Sequence, residues 1–243
     1  MTIAFVADNE YAISNASSQV VTIPTGWAAG DLLVVIAEHG YPANTATRNI
    51  VGWTFHVQYT DNGSYGVWSR IAATGDTTWT WTFDNLWSGA IWIGCYNAAK
   101  IMAAAVQPTG LTTVDPPVYT GGVQDGVIIN ALCNRRDNAT GTVIATPGWG
   151  TERASIDGTN GSRHFEMKVM EVDVTGWYAG TGNWDTTNAA SFNQMNVVIW
   201  LEDDTAVGGQ YDIVLDATGP ASPSTGWMYK GRTTASDDTT GAP

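Results

Sequence analysis

The sequence predicts an all-β protein: an antiparallel β-sandwich, jelly-roll-like, built from two diverged repeats and followed by an extended C-terminal arm. Three observations predict it. Apolar residues recur with a period of two in TTWTWTF (77–83) and RHFEMKVMEV (163–172), the pattern of half-buried strands. Turn signals at Asp61-Asn62-Gly63, Gly75-Asp76, Asp157-Gly158 and Asn160-Gly161 punctuate the chain. The first half of the chain also returns, altered, in the second.

The elements follow in order. DLLVVIAE (31–38) is a continuous apolar run of strand length, entered from TGWAAGD (25–31). A Gly-Trp-Thr turn at 52–54 precedes a long strand, YGVWSRIA (65–72). TTWTWTF comes next, and SGAIWIGCY (88–96) closes the half. NAAKIMAAAV (97–106) fits a short helix or a strand, with the strand preferred. The second half repeats the series. TGGVQD (120–125) leads into GVIINALC, Gly148-Trp149-Gly150-Thr151 supplies the turn, and RHFEMKVMEV slips once near Met170. MNVVIWLE (195–202) closes it. The repeats are 1–98 and 99–204. Two copies fit one pseudo-symmetric double-sheet sandwich or two tandem sandwiches. The short, Pro-stiffened junction QPTGLTTVDPPV (107–118) favours one continuous sandwich or two tightly packed halves.

Composition narrows the function. The 243 residues are 44% hydrophobic, enough for a core, and only 14% charged, against about 25% in an ordinary soluble domain. Twelve Trp, nine Tyr and five Phe exclude a disordered chain. Ten Lys and Arg against 23 Asp and Glu leave a formal charge of −13. Nucleic acid and anionic membrane both require clustered cations, so neither partner is expected. MTIAFVADNEYA lacks the basic region of a signal peptide, and no run approaches the roughly 18 apolar residues of a membrane helix. The sequons at Asn15, Asn62, Asn138 and Asn160 then read as incidental. Cys95 and Cys133 sit in apolar runs and are expected as buried free thiols.

No motif announces chemistry. His39, His56 and His164 have no partner at metal-ligand spacing, and no nucleophile elbow or phosphate loop occurs. No catalytic residue, cofactor or metal is therefore expected. IDGTNGS (156–162) lacks the alternating carboxylates of a calcium loop. Glu38, Glu152, Glu166, Glu171 and Glu202 are the candidates for a glycosidase pair. Glu166 and Glu171, however, alternate with core residues as solvent-facing strand residues do. Trp53 and Trp149 recur in both halves, and Trp79 and Trp81 share a strand face, which predicts packing. Trp27, Trp87, Trp177 and Trp184 lie in turn-like segments and are the candidate exposed binding aromatics. The arm, 205–243, carries one strand-like run, YDIVLD (211–216), in a polar tail. It has too little apolar content to fold alone. Trp227, Met228 and Tyr229, with Lys230 and Arg232 beside them, are its candidate interface residues, held by another copy of the chain or by another subunit.

IPTGWAAGDLLVV, then GWT, then WSRIAATGDTTWTWTF and SGAIWIGCYNA together resemble a β-sandwich domain recurring in tailed-bacteriophage virion proteins. These include capsid decoration proteins, minor tail proteins and prophage products. The matching positions are Pro24, Gly26, Gly30, Asp31, Gly52, Trp53, Thr54, Arg70, Ala72, Gly75, Asp76 and Tyr96. The closing Tyr-x-Gly of that pattern is broken, because Asn97-Ala98 follows Tyr96. The second half matches through Pro147, Gly148, Trp149, Thr151, Glu152 and Arg153. The resemblance spans about 18–202. It implies a virion protein, assembled in the host cytoplasm, with major capsid or tail subunits as partners, and it carries no catalytic residue over. The expected role is a non-enzymatic structural protein on the particle exterior. Capsid decoration comes ahead of a minor tail role, since a compact sandwich without fibre repeats suits a symmetric capsid site. The alternatives are a carbohydrate- or receptor-binding module meeting a host-surface glycan, and a polysaccharide-cleaving enzyme.

Overall fold

The computed structural model describes residues 3–40, 50–60, 63–109, 113–114, 123–137, 144–145, 147–160, 163–178, 183–185 and 193–204. These residues are all-β, without a helix. The strands are β1 (Ala4–Thr22), β2 (Leu32–Gly40), β3 (Thr54–Thr60), β4 (Gly63–Ile71), β5 (Thr78–Asn97), β6 (Ala99–Thr109), β7 (Thr113–Val114), β8 (Val123–Asp137), β9 (Thr151–Asn160), β10 (Arg163–Tyr178), β11 (Trp184–Asp185) and β12 (Asn193–Asp203). The Ala-rich segment after Asn97 is thus a strand. It is an edge strand, pairing only with β12, which is where Pro108 does no harm to the ladder. The arm, with Trp227, Met228, Tyr229, Lys230 and Arg232, lies outside the described residues.

The two halves fold alike. The first forms a five-stranded antiparallel sheet of order β1-β5-β2-β4-β3; the second forms one of order β6-β12-β8-β10-β9. Replacing each strand of the first by its counterpart in the second turns one order into the other. Each half therefore supplies one whole sheet, and the two sheets pack face to face. Edge β1 lies over edge β9, and edge β3 over edge β6, as a pseudo-twofold relation requires. The duplication extends to irregularities. Register slips in β3 at Phe55/Val57 opposite Trp68 and Val67, and in β9 between Glu152 and Ala154 opposite Met170 and Val169. The extra residues are His56 and Arg153. The slip that the sequence pattern places near Met170 is not a bulge of β10, whose register with β8 runs unshifted from Arg163 to Val174; Met170 and Val172 are apolar because the outer face is covered there.

The continuous apolar runs are the central strands, buried on both faces. Leu32, Val34 and Ile36 of β2 meet Ile129, Ala131 and Val197 of the other sheet in the inner core. The alternate residues Leu33, Val35 and Ala37 face outward, into a second cluster with Trp53, Trp68 and Trp81. That outer cover has a mechanical origin. β1 and β5 are 19 and 20 residues long, and slips between Ile13 and Ser18 bend their ribbon. The bent end brings Val21 and Trp81 over the outer face. Among the described residues of the second half, the corresponding ribbon has two parts, the β6–β12 pair and a shorter one. The shorter part is the pair β7–β11, which brings Trp184 over the outer face of the second sheet with Leu132, Ile144 and Met170.

The chain crosses between sheets at one residue, Ala98, between the end of β5 and the start of β6. Its φ is 48°, in the left-handed region that costs a non-glycine residue roughly 1–2 kcal/mol. Its carbonyl accepts a hydrogen bond from Asp204 N at 2.8 Å. This is the position where the resembling pattern has glycine, and the backbone gives the physical reason for that glycine.

Candidate functional site

The residues that carry the resemblance converge at one end of the first sheet. Asp31 Oδ2 accepts from Ala28 N at 2.7 Å, while Gly30 N donates to Ala72 O and Ala72 N to Asp31 O. Gly30 and Gly75 have φ of 102° and 93°, conformations in which glycine alone is at ease. Arg70 forks onto Asp76, Nε to Oδ2 at 3.1 Å and Nη2 to Oδ1 at 2.8 Å. Its Nη1 donates to Gly52 O, and its guanidinium lies 5.4 Å from the Trp79 ring centre. Burial opposes the Asp76 charge, but the Arg70 fork and the Ala73 amide outweigh it and hold the carboxyl below its ordinary value. Trp53 follows Gly52 and makes edge-to-face contacts with Trp79 and Trp81 at 5.0 and 5.1 Å. The polar groups of Asp31, Arg70, Ala72 and Asp76 tie three turns together, while the buried indole nitrogens of Trp53 and Trp81 have no hydrogen-bond partner.

A second constellation joins the sheets. Arg153, the bulge residue of β9, donates to Glu171 Oε1, and Tyr96 Oη of the opposite sheet donates to Glu171 Oε2 at 2.7 Å. The Arg153 guanidinium lies 3.9 Å over the Phe5 ring, and Phe5 meets Tyr96 edge-on at 5.6 Å. Burial first, and the Glu171 charge second, push the Tyr96 hydroxyl well above its ordinary value, so it stays a donor. Bulges re-aim side chains, and here the bulge points Arg153 into the seam.

The candidate glycosidase carboxylates do not form a pair facing solvent. Glu166 and Glu171, expected on a solvated face, are buried. The alternation misled because both faces of β10 are covered: Ile144 lies over the outer face, and the first sheet over the inner. Glu166 Oε2 accepts from Ile144 N at 3.1 Å. Glu202 sits 3.5 Å from Lys100, and Glu152 3.6 Å from Lys168. Glu38 is wholly buried. Its charge adds to burial in raising the Cys133 thiol well above its ordinary value. Both cysteines are free and buried; burial and then Asp31 push Cys95 up to about 12. His56 Nε2 is 2.6 Å from Ser69 Oγ, and buried His164 is 3.3 Å from Asp157. No metal-holding group of His, Cys, Asp or Glu occurs among the described residues.

The candidate binding aromatics also need correction. Trp184 is fully buried. It is the counterpart of Trp81 in the covering ribbon of the second sheet: Trp149 meets it edge-on at 5.4 Å, as Trp53 meets Trp81. Its Nε1 donates to Asn130 Oδ1 at 3.1 Å. Trp149 itself is half-buried, its Nε1 donating to Asn183 O. Trp27 is half-buried against the outer cluster of the first sheet. Trp87 and Trp177 lie in β5 and β10, with their side chains outside the described part.

Sequence reasoning missed a row of buried amides on the outer face of the second sheet. Asn134 of β8 and Gln194 of β12 are register partners, and Asn196 lies two residues along the same face. Asn134 is 1% exposed, Gln194 and Asn196 0%. All six of their amide nitrogen and oxygen atoms lack a hydrogen-bond partner. Each such group costs about 1–3 kcal/mol. The only sequence signal was polar residues inside apolar runs, in INALCN and QMNVVIW.

No protein-family model, no curated protein and no solved structure matches this chain.

Proposed function

We propose that the chain is a non-enzymatic structural protein on the exterior of a tailed-bacteriophage virion, a capsid decoration protein ahead of a minor tail protein. The observation that carries the non-enzymatic part is the employment of the candidate carboxylates. Glu171 joins the sheets, Glu166 holds Ile144, and Glu152 and Glu202 face lysines. A glycosidase needs two carboxyl groups flanking a sugar-sized space, and these are spread over the scaffold. The virion setting rests on the resemblance, whose residues here build the Arg70–Asp76 turn cluster. The partners are major capsid or tail subunits, with the chain's own arm as the attachment.

The test adds purified protein to particles produced without it, using the full chain and a deletion of 217–243. Saturable occupancy by the full chain, reduced in the deletion while its melting curve is unchanged, supports the proposal. Cleavage of host polysaccharide that Glu171→Gln abolishes, or equal occupancy by both lengths, contradicts the role or the arm's part in it.

A further inference from the structure

We infer that the outer face of the second sheet holds a small, uncharged, polyhydroxylated guest gripped by the amides of Asn134, Gln194 and Asn196. The chemistry of the unmet groups selects this class. The three side chains present carbonyl oxygens and amide nitrogens together, all without partners. A guest must therefore donate and accept, as hydroxyl groups do. A metal ion would satisfy only the oxygens, and Lys168 on the same face of β10 opposes a cation. Glu166, the β10 neighbour of Asn134, opposes an anion. Leu132, opposite Asn196 in the ladder, packs with Ile144 and Trp184 and gives an apolar margin for the C–H side of a sugar.

The duplicated frame shows that the fold does not need an amide at the Asn196 position, while Gly89 and His39 stand at the positions of Gln194 and Asn134. In the first sheet the position of Asn196 is held by Ile91 and that of Asn130 by Val35, both buried. Asn130 has a partner in Trp184; the other three do not. A position that packs apolar in one copy and carries an unmet amide in the other, as Ile91 and Asn196 do, points to a ligand in the second. The amides are buried, and beside them Ile144 and Ala145 donate to Glu166 and Asp185. The inference is independent of the virion reading, and either stands if the other fails.

The experiment incubates the full chain with glucose, galactose, N-acetylglucosamine, mannitol and glycerol, with acetate and calcium chloride as charged controls. Melting temperature and native mass are then measured. The expected result is a saturable rise in melting temperature with one guest per chain for at least one neutral probe, and none for the charged controls. Asn196→Leu and Asn134→Leu should weaken that binding at least tenfold while melting no lower than the parent without guest. Should either fail to fold, Asn196→Ser and Gln194→Ser replace them with the same expected loss. No shift with any neutral probe, binding untouched by these variants, or a crystal structure grown with the best probe showing only water on the amides overturns the inference.

Discussion

Arg153 reaches Glu171 from a bulge in β9 at the position from which, in the first sheet, His56 reaches Ser69 from a bulge in β3. The two repeats share strand order, bulge and the contact made from it, yet the contact has changed chemistry. His56–Ser69 stays within the first sheet. Arg153–Glu171 also takes the Tyr96 hydroxyl and so ties both sheets. A duplicated local device has become the bolt between the copies.

Removing one partner of that bolt is expected to be costly. Arg153→Met leaves Glu171 buried without its cation, and the loss should be about 3 kcal/mol, the low end for a broken buried pair. Tyr96→Phe removes one hydrogen bond to a charged group and should cost about 1.5 kcal/mol. Urea unfolding of the two single variants and the double checks both values. A double variant losing the plain sum would show that the two contacts act separately.

Ala98→Gly should stabilise the protein. Relief of the left-handed alanine is worth roughly 1–2 kcal/mol, and the added freedom of the unfolded chain takes back about 0.4–1. A net gain near 1 kcal/mol in chemical denaturation is expected. A loss would mean that the Ala98 methyl contributes more by packing than its backbone costs.

The repeated tryptophans are not equal. Trp53 is 8% exposed and sits between two other indoles, so Trp53→Ala should cost about 3–5 kcal/mol. Trp149 is half-buried with one edge-on contact and one hydrogen bond. Trp149→Ala should cost about 1–2 kcal/mol. Equal losses in thermal unfolding would contradict this ordering.

Asp76 links turn geometry to acid stability. Its carboxyl is lowered from the 3.8 of a free aspartate. A group depressed in the folded state adds stability that is complete above its unfolded value and is lost as pH falls through its folded value. Asp76→Asn should therefore lower stability at pH 7 and make the decline below about pH 4 shallower. Melting temperatures from pH 2.5 to 7 measure both. Parallel curves for the two proteins would remove Asp76 from the acid response.

Much of the fold was legible because strand periodicity and turn glycines are local signals. TTWTWTF, the Gly-Trp turns and the returning apolar strands announced β-structure and duplication. Glu171 shares a strand face with Phe165, Met167 and Val169 and is buried in the seam, where Tyr96 of the opposite sheet meets it; the burial of Glu166 was illegible for another reason. Alternation shows which residues share a face of a strand, but it is silent on whether a distant segment covers the other face. Ile144 and the β7–β11 pair do so here, and the buried amides of Asn134, Gln194 and Asn196 read in sequence as ordinary polar positions. Arg153 was picked out only as a repeat match. Its part in the seam depends on a bulge and on a tyrosine of the opposite sheet.

The most direct test of the central claim is the protein composition of gradient-purified phage particles from a host that produces this chain, by quantitative mass spectrometry with antibody labelling of intact particles. The account predicts the chain at a fixed ratio to a major capsid or tail subunit and accessible to antibody on the outside. Its absence from purified particles, or its presence only in the host fraction, would contradict the account.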